Sequence, residues 1–311
     1  MGISHYLNWS SWIPGTRNGL FLLLAPGLIF YISYRIIVRR FKRLELDRER
    51  SHGDVDVANM TLEEAYAIKT RIAEHEFPRV FSAAIGFVFF KAEGIPSIAK
   101  LVHRASQRSS NSTQNPRRGP SVSPADLLRR PGAPETRAAI DRVNHVHSLF
   151  RPSGKMSDDD LLYVLSLFTA EPMRWIQRFE YRALNERERC ALATLWRALG
   201  EELRIPYDRL PGYSEGFRDA LHWLAELEDW GCAYERAYRE RTPESVALAG
   251  KQMDAWVSGV PGFMKSMAYG FVAVGIEPGL RQAHGIETPS PITAYIVETV
   301  IYLRKVARRF L

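Results

Sequence analysis

Apolar residues recur every three or four positions over most of this chain, which is the period of an α-helix and not of a strand. Thr61, Ser157 and Asn185 each precede acidic residues and an apolar block, which is the pattern of a capped helix start. Few runs alternate with a period of two, and no hairpin dipeptide lies between β-branched segments. The pattern therefore predicts an all-α fold.

The densest apolar stretch, residues 80–90, predicts a buried helix that ends before Gly94 and Pro96. We interpret Glu171-Pro172 as the first turn of another helix, because proline is favoured at that position. Glycine and proline separate three further predicted helices towards the C-terminus, over residues 213–239, 243–258 and 262–274.

An uncharged run near the N-terminus predicts a membrane anchor. The 16 residues from Gly19 to Tyr34 include no charged residue. The apolar character continues to Val38 apart from Arg35, whose long side chain can extend to the membrane edge. Because about 20 apolar residues cross a bilayer as a helix, we predict a single transmembrane helix over residues 19–38.

The charges around this span predict its orientation. Residues 39–43, RRFKR, make 39–59 a basic juxtamembrane linker, whereas 1–18 carries only Arg17. The positive-inside rule then predicts a short lumenal N-terminus and a cytosolic remainder. A cleaved signal peptide fits less well, since its charges would precede the apolar run.

The predicted globular domain covers residues 60–290 and contains one segment that departs from the helical pattern. Residues 104–134 are rich in Ser, Asn, Gln, Pro and Arg, which predicts a mobile low-complexity loop.

Residues 291–311 place apolar positions on one stripe and basic residues at the end. This pattern predicts a basic amphipathic helix that either lies in the headgroup layer or packs on the domain.

Composition limits the classes of protein. With 311 residues, 46% of them hydrophobic, the chain can bury a sizeable core. Cys190 and Cys232 are too few for a disulfide framework, so a reducing compartment is expected. The net charge of +7 is spread along the chain without a nucleic-acid-binding motif, so membrane contact explains it better than nucleic acid. Sequence motifs for nucleotide, dinucleotide and serine-hydrolase sites are absent.

The best candidate ligand for a cofactor is a histidine on an apolar helix face. His147 lies in line with Ile140 and Val143, whereas His145 is about 200° away around the helix axis. One helix therefore cannot direct both imidazoles at one metal, and His145 is the alternative ligand. A lone histidine of this kind is otherwise a core residue. His103, His222 and His284 match no compact metal-binding spacing.

Several loose motifs occur in the order found in a known family. The chain resembles the MpaB-type membrane-bound oxygenases of fungal biosynthesis and, more distantly, the rubber-cleaving latex clearing proteins. The resemblance covers roughly residues 60 to 290. The motifs that carry it are Phe89–Leu101, Arg142 with Asn144 and His147, Ser157–Tyr163, Glu171–Ile176, Asn185–Arg189, Trp196 and Leu203–Pro206.

The resemblance implies a haem b protein in which His147 is the proximal iron ligand. It further implies that Arg142 lies near a propionate, that Asn144 orients the imidazole, and that Arg174 reaches the cofactor or substrate. Lys91 is the match to a distal-side lysine, although Ala92 replaces the threonine expected after it.

The implied activity is O2-dependent cleavage of a C=C bond in a prenyl, terpenoid or other lipophilic molecule of secondary metabolism. The implied location is the endoplasmic reticulum, with the catalytic domain in the cytosol and other pathway enzymes as further candidate partners. Hydroxylation, an oxidative rearrangement, or a non-catalytic membrane-anchored adaptor are the alternatives.

Overall fold

The computed structural model describes residues 59–110 and 124–310, and the compact unit discussed below is Val55–Arg308. The described residues contain helices and no strand, which confirms the predicted all-α class. A π-helical turn covers Arg71–Glu76, and 3-10 turns cover Pro211–Tyr213 and Gly262–Met264. The α-helices are α1 Leu62–Thr70, α2 Pro78–Ala92, α3 Pro96–Ser110, α4 Pro124–Leu127, α5 Pro134–Phe150, α6 Asp158–Phe179, α7 Glu186–Glu202, α8 Ala220–Tyr238, α9 Pro243–Trp256, α10 Lys265–Gly275, α11 Pro278–His284 and α12 Pro291–Phe310.

All three predicted helix caps are present. Thr61, Ser157 and Asn185 each accept a hydrogen bond from the backbone N–H three residues later, and an acidic side chain at that position returns the bond. Each cap satisfies backbone donors that have no partner inside the helix. Local sequence therefore determines where α1, α6 and α7 begin.

Packing of α2 against α6 forms the centre of the molecule. Helix α2 is apolar on several sides, and its Phe90 is almost fully buried, as are Tyr163 and Leu162 of α6. Helix α8 packs on α6 and α7 through the buried Trp223 and Leu224, while α1 packs on α7. The predicted buried helix at 80–90 is thus confirmed.

Pro172 does not start a helix as its position after Glu171 suggested. It lies inside the continuous helix Asp158–Phe179. Proline removes one backbone hydrogen bond of a helix. Pro172 is nevertheless a buried residue within α6. The tertiary packing of α6 overrides the local start signal.

The C-terminal basic residues bind the end of α6. Arg304 donates to the Phe179 carbonyl and to Glu180, Arg308 also pairs with Glu180, and Lys305 donates to the carbonyls of Gln177 and Arg178. The last carbonyls of a helix have no partner within it and carry partial negative charge, so cations are favoured there. These contacts dock α12 on the domain.

The predicted loop at 104–134 is helical at both edges. Arg104 to Ser110 complete α3, and Pro124–Leu127 form the short helix α4. Lys69 holds the chain after α4 by donating to the Leu128 carbonyl at 2.7 Å. The centre of the predicted loop, 111–123, lies outside the described residues.

The predicted membrane span at 19–38 also lies outside the described residues, as do 1–18 and most of the linker at 39–59. Across 59–110 and 124–310, no helix combines the length and apolar character needed to cross a bilayer.

The cap of α6 offers a direct test of this account. Ser157→Ala removes the hydroxyl that accepts from the Asp160 N–H at 2.9 Å, and we expect it to lower the free energy of unfolding by about 1 kcal/mol. Ser157→Thr keeps the hydroxyl and should lose much less. Urea denaturation of the three proteins gives the comparison, and equal losses in both variants would contradict the capping role.

Candidate functional site

An apolar cavity of about 430 Å³ lies beside α5, α6 and α7. Its size is within the range of small-molecule sites, about 300–1,000 Å³. Aromatic rings form one wall: Phe89 of α2 contacts Phe168 edge-on, and Phe168 stacks on Trp196 with centroids 5.2 Å apart. The remaining lining residues are Pro124, Leu127, Arg142, Val143, Val146, His147, Leu161, Val164, Leu165, Leu203 and Ile205.

His147 lines this cavity and carries a buried ring nitrogen that has no hydrogen-bond partner. This nitrogen is Nδ1, and the residue is half-buried on α5. Burial, together with the nearby Arg151, lowers the imidazole pKa to about 4. The ring is therefore neutral at physiological pH, and a neutral imidazole is the form that binds metals.

His145, the alternative ligand, is exposed and does not line the cavity. The helical period had already separated it from His147 by more than a third of a turn. The structure therefore brings only one of these two imidazoles to the cavity.

Arg142 also lines the cavity, so α5 presents a cation and a neutral imidazole to the same space. The five guanidinium donors of an arginine suit a carboxylate ligand. Asn144 instead joins α5 to α7, because its side-chain N–H donates to the Glu202 carbonyl at 2.9 Å. The hydrogen bond that the family resemblance implied between Asn144 and the His147 ring is absent at Nδ1.

Lys91 lies in a buried cluster of charges and not along this cavity. Its ammonium nitrogen is 3.0 Å from Glu171 Oε1, 3.5 Å from Glu235 Oε1 and 3.4 Å from Glu277 Oε1. Arg239 pairs with both Glu235 and Glu277. A buried ammonium group requires such compensation. Lys91 therefore neutralises buried carboxylates. The distal-side role that the resemblance implies for it stays a prediction.

Arg174 belongs to the same cluster. Its guanidinium donates to Glu171 at 3.1 Å and to the Cys232 sulfur at 3.7 Å, and it lies 3.8 Å from Glu228. Four of the predicted site residues therefore fall into two groups, and Asn144 belongs to neither. Arg142 and His147 line the cavity, whereas Lys91 and Arg174 share Glu171 in the buried charge cluster.

His103, His222 and His284 do not join His147 in a metal centre. His284 is almost fully buried, and its Nε2 lies 2.8 Å from the Phe90 carbonyl oxygen. This contact gives Nε2 a hydrogen-bond partner, as is usual for a histidine in a protein core. His222 pairs with Glu226, and His103 contacts Gln107. No group of three or more potential ligands of the His, Cys, Asp and Glu types occurs in residues 59–110 and 124–310.

Glu93 is a candidate that the sequence reasoning missed. It ends α2 one turn after the cavity residue Phe89, and only 8% of it is exposed. Burial raises the pKa of this carboxyl to about 7. Such a group can give or take a proton near neutral pH. The sequence indicates this residue only by placing an acidic side chain in the mostly apolar segment 89–96, FFKAEGIP.

The charge cluster predicts a large effect of removing Lys91. In Lys91→Met three carboxylates lose their shared cation, so we expect the free energy of unfolding to fall by about 3 kcal/mol. Lys100→Met, at an exposed position of α3, should change it by less than about 0.5 kcal/mol. Urea denaturation measures both, and an unaltered stability in Lys91→Met would contradict the structural role.

Glu93 predicts a specific pH dependence. Its pKa is raised from 4.5 to about 7, so the folded state favours the protonated form and loses stability as pH rises from about 4.5 to about 7. Glu93→Gln cannot ionise. Its melting temperature relative to the unmodified protein should rise over this pH window and show little difference below pH 4.5.

A matched control for this measurement is Glu215→Gln, which changes an exposed carboxyl. A melting-temperature difference for Glu93→Gln that stays constant from pH 4 to pH 8 would show that burial does not perturb the Glu93 carboxyl.

Comparisons with known proteins identify the family of this chain. A family model described as ER-bound oxygenase mpaB/B'/Rubber oxygenase, catalytic domain, matches residues 121–309. The ER-bound oxygenase mpaB' of Penicillium brevicompactum is 31% identical over 288 residues, which cover 91% of this chain and 68% of the relative. The ER-bound oxygenase mpaB of Penicillium roqueforti is 32% identical over 265 residues, covering 83% and 88%. The chain therefore belongs to the mpaB and rubber oxygenase family of oxygenases.

Proposed function

We propose that this protein is a membrane-anchored, haem b-dependent oxygenase that uses O2 to cleave a C=C bond in a lipophilic molecule of secondary metabolism. Membership of an oxygenase family supports the use of O2. The observation that most directly supports haem is the unpartnered ring nitrogen of His147 beside an apolar cavity. A prenyl or terpenoid chain is the substrate class that such walls would accept.

The residues of the cavity fit haem b. A porphyrin needs apolar walls for its faces, a neutral imidazole for its iron, and cations for its propionates. Phe168, Val143 and Leu165 supply apolar surface, His147 supplies the imidazole, and Arg142 supplies a cation. Under this proposal His147 is the proximal ligand and Arg142 holds a propionate.

When bound, haem iron supplies the chemistry of O2 activation, and the protein supplies access and orientation. The aromatic wall of Phe89, Phe168 and Trp196 would hold an olefin by apolar contact and exclude water from it. Because the wall offers few polar groups, we expect it to select for hydrocarbon chains more than for a particular head group.

Attachment to the endoplasmic reticulum is part of the proposal. The relatives compared above are named ER-bound oxygenases, and the uncharged run at 19–34 is the segment of this chain that predicts an anchor. A tether to the membrane would keep the cavity close to a substrate dissolved in the bilayer. The catalytic domain would then face the cytosol, as the basic linker predicts.

An absorption spectrum tests the cofactor and its ligand. We expect the detergent-solubilised full chain, expressed with adequate haem supply, to show a Soret band that shifts on reduction with dithionite. His147→Ala should lose most of this band because the neutral imidazole is gone. His145→Ala removes an exposed imidazole from the same helix and should leave the spectrum unchanged.

Two results would contradict the proposal. One is a chain without haem despite adequate supply, and the other is a spectrum that His147→Ala leaves intact while His145→Ala alters it. If haem binds as expected, incubation with prenylated compounds under O2 and mass spectrometry of carbonyl products tests the cleavage itself.

A further inference from the structure

The outer side of α12 is apolar and exposed, contrary to the usual arrangement of a surface helix. Ile292 and Tyr295 are 73% and 75% exposed, and Tyr302 is exposed as well. On the helical period these positions follow one another along one stripe. The basic residues at the end of the helix are bound to the C-terminal end of α6. The helix thus directs three of its cations to polar groups of the domain, half-exposed, while apolar residues on its outer side are exposed.

The segment before and within α10 adds a second exposed apolar element. Phe263 lies on the 3-10 turn Gly262–Met264 and is 89% exposed, while Met267 and Phe271 of α10 are also exposed. Helices α10 and α12 adjoin, since both line one apolar cavity, which Phe271 and Ile301 share. We call Phe263, Met267, Phe271, Ile292, Tyr295 and Tyr302 the C-terminal apolar face.

We propose that the C-terminal apolar face lies on the phospholipid bilayer, as a contact separate from the predicted N-terminal span. Exposed apolar patches of this extent mark sites of protein or membrane contact. Insertion of such residues to the level of the headgroups is the arrangement of proteins that lie in a membrane surface.

The charges of the face favour lipid over a protein partner. From Ala255 to Ile276 the chain carries one charged residue, Lys265, which is exposed beside Phe263. On α12, residues 291–303 carry one charge, Glu298, which pairs with Arg178 at 3.0 Å. The unpaired charge on the face is therefore positive, which complements the anionic cytosolic leaflet. Tyr295 and Tyr302 are of a type enriched at the membrane interface.

The apolar cavity between these helices suits a lipid chain. It measures about 400 Å³ and is lined by Phe87, Trp175, Trp256, Phe271 and Val297, with few polar groups. An acyl chain entering between α10 and α12 would replace water on these aromatic surfaces. A protein partner would need a matching protrusion, whereas a bilayer supplies many mobile chains.

An N-terminal anchor, as proposed above, would tether the face to a bilayer. Residues 39–58 separate the predicted span from the first described residue, and 20 residues extend to at most about 70 Å. A tether of this length keeps a weakly binding face at high effective concentration near the membrane. The contact does not depend on haem, so it can fail or succeed independently of the proposed activity.

Fluorescence quenching in nanodiscs tests the proposal with the full chain. A single cysteine at Phe263→Cys, in a background where Cys190 and Cys232 are alanine, carries an environment-sensitive dye. The control places the same dye at the exposed residue Tyr213. The nanodiscs contain phosphatidylcholine with about one fifth phosphatidylserine, which models an anionic leaflet.

We expect quenching of the Phe263→Cys dye by doxyl-labelled lipid and an iodide quenching constant at least about threefold lower than for Tyr213→Cys. Equal iodide access at both positions would overturn the proposal. Iodide protection without quenching by doxyl lipid would also overturn it, because a second copy or another segment of this chain would then cover the face.

A second variant checks that the face acts as a unit. With the dye at Tyr295→Cys, the additional change Met267→Glu should raise iodide access at the dye, because a carboxylate opposes insertion of the neighbouring helix. Lys251→Glu changes an exposed residue of α9 outside the face and should not. Equal responses to both changes would overturn the proposal, and melting temperatures confirm that both variants fold.

Discussion

The ammonium group of Lys91 is the constraint on which the helical arrangement depends. It meets carboxylates from α6, α8 and the residue before α11, so one buried cation on α2 joins four parts of the chain. Charges inside a protein are tolerated only when they are paired and hydrogen-bonded. The helices around Lys91 therefore have few alternative positions relative to one another, and the α2–α6 contact that forms the core is fixed in register.

This arrangement separates charge chemistry from the apolar cavity. Lys91 and Arg174 are held by Glu171 in the charge cluster. Among the described residues, the walls of the cavity beside α5 are aromatic and aliphatic apart from His147 and Arg142. A neutral imidazole beside such walls suits an iron porphyrin. Membership of an oxygenase family favours an enzyme over the non-catalytic adaptor. The distal-side role of Lys91 stays a prediction, and the ion pairs give this residue a second reason to be present.

The C-terminal region likewise combines paired charges with exposed apolar residues. Arg304 and Arg308 share Glu180 at the end of α6, whereas Tyr295 and Tyr302 face solvent. The apolar stripe of an amphipathic surface helix usually faces the core, whereas α12 exposes many of its apolar residues. Here the last carbonyls of α6 accept from Arg304 and Lys305, and apolar residues such as Tyr295 and Tyr302 are left exposed.

The sequence by itself determined what depends on neighbouring residues: the all-α class, the caps at Thr61, Ser157 and Asn185, and the separation of His147 from His145 around one helix. Tertiary structure decided what depends on contacts distant in sequence. Pro172 reads locally as a helix start and lies inside α6 because packing on α2 holds the helix through it. The partners of Lys91 are 80 or more residues away, and the raised pKa of Glu93 comes from burial. Burial and long-range pairing leave no periodic signal in a sequence, so only the folded chain shows them.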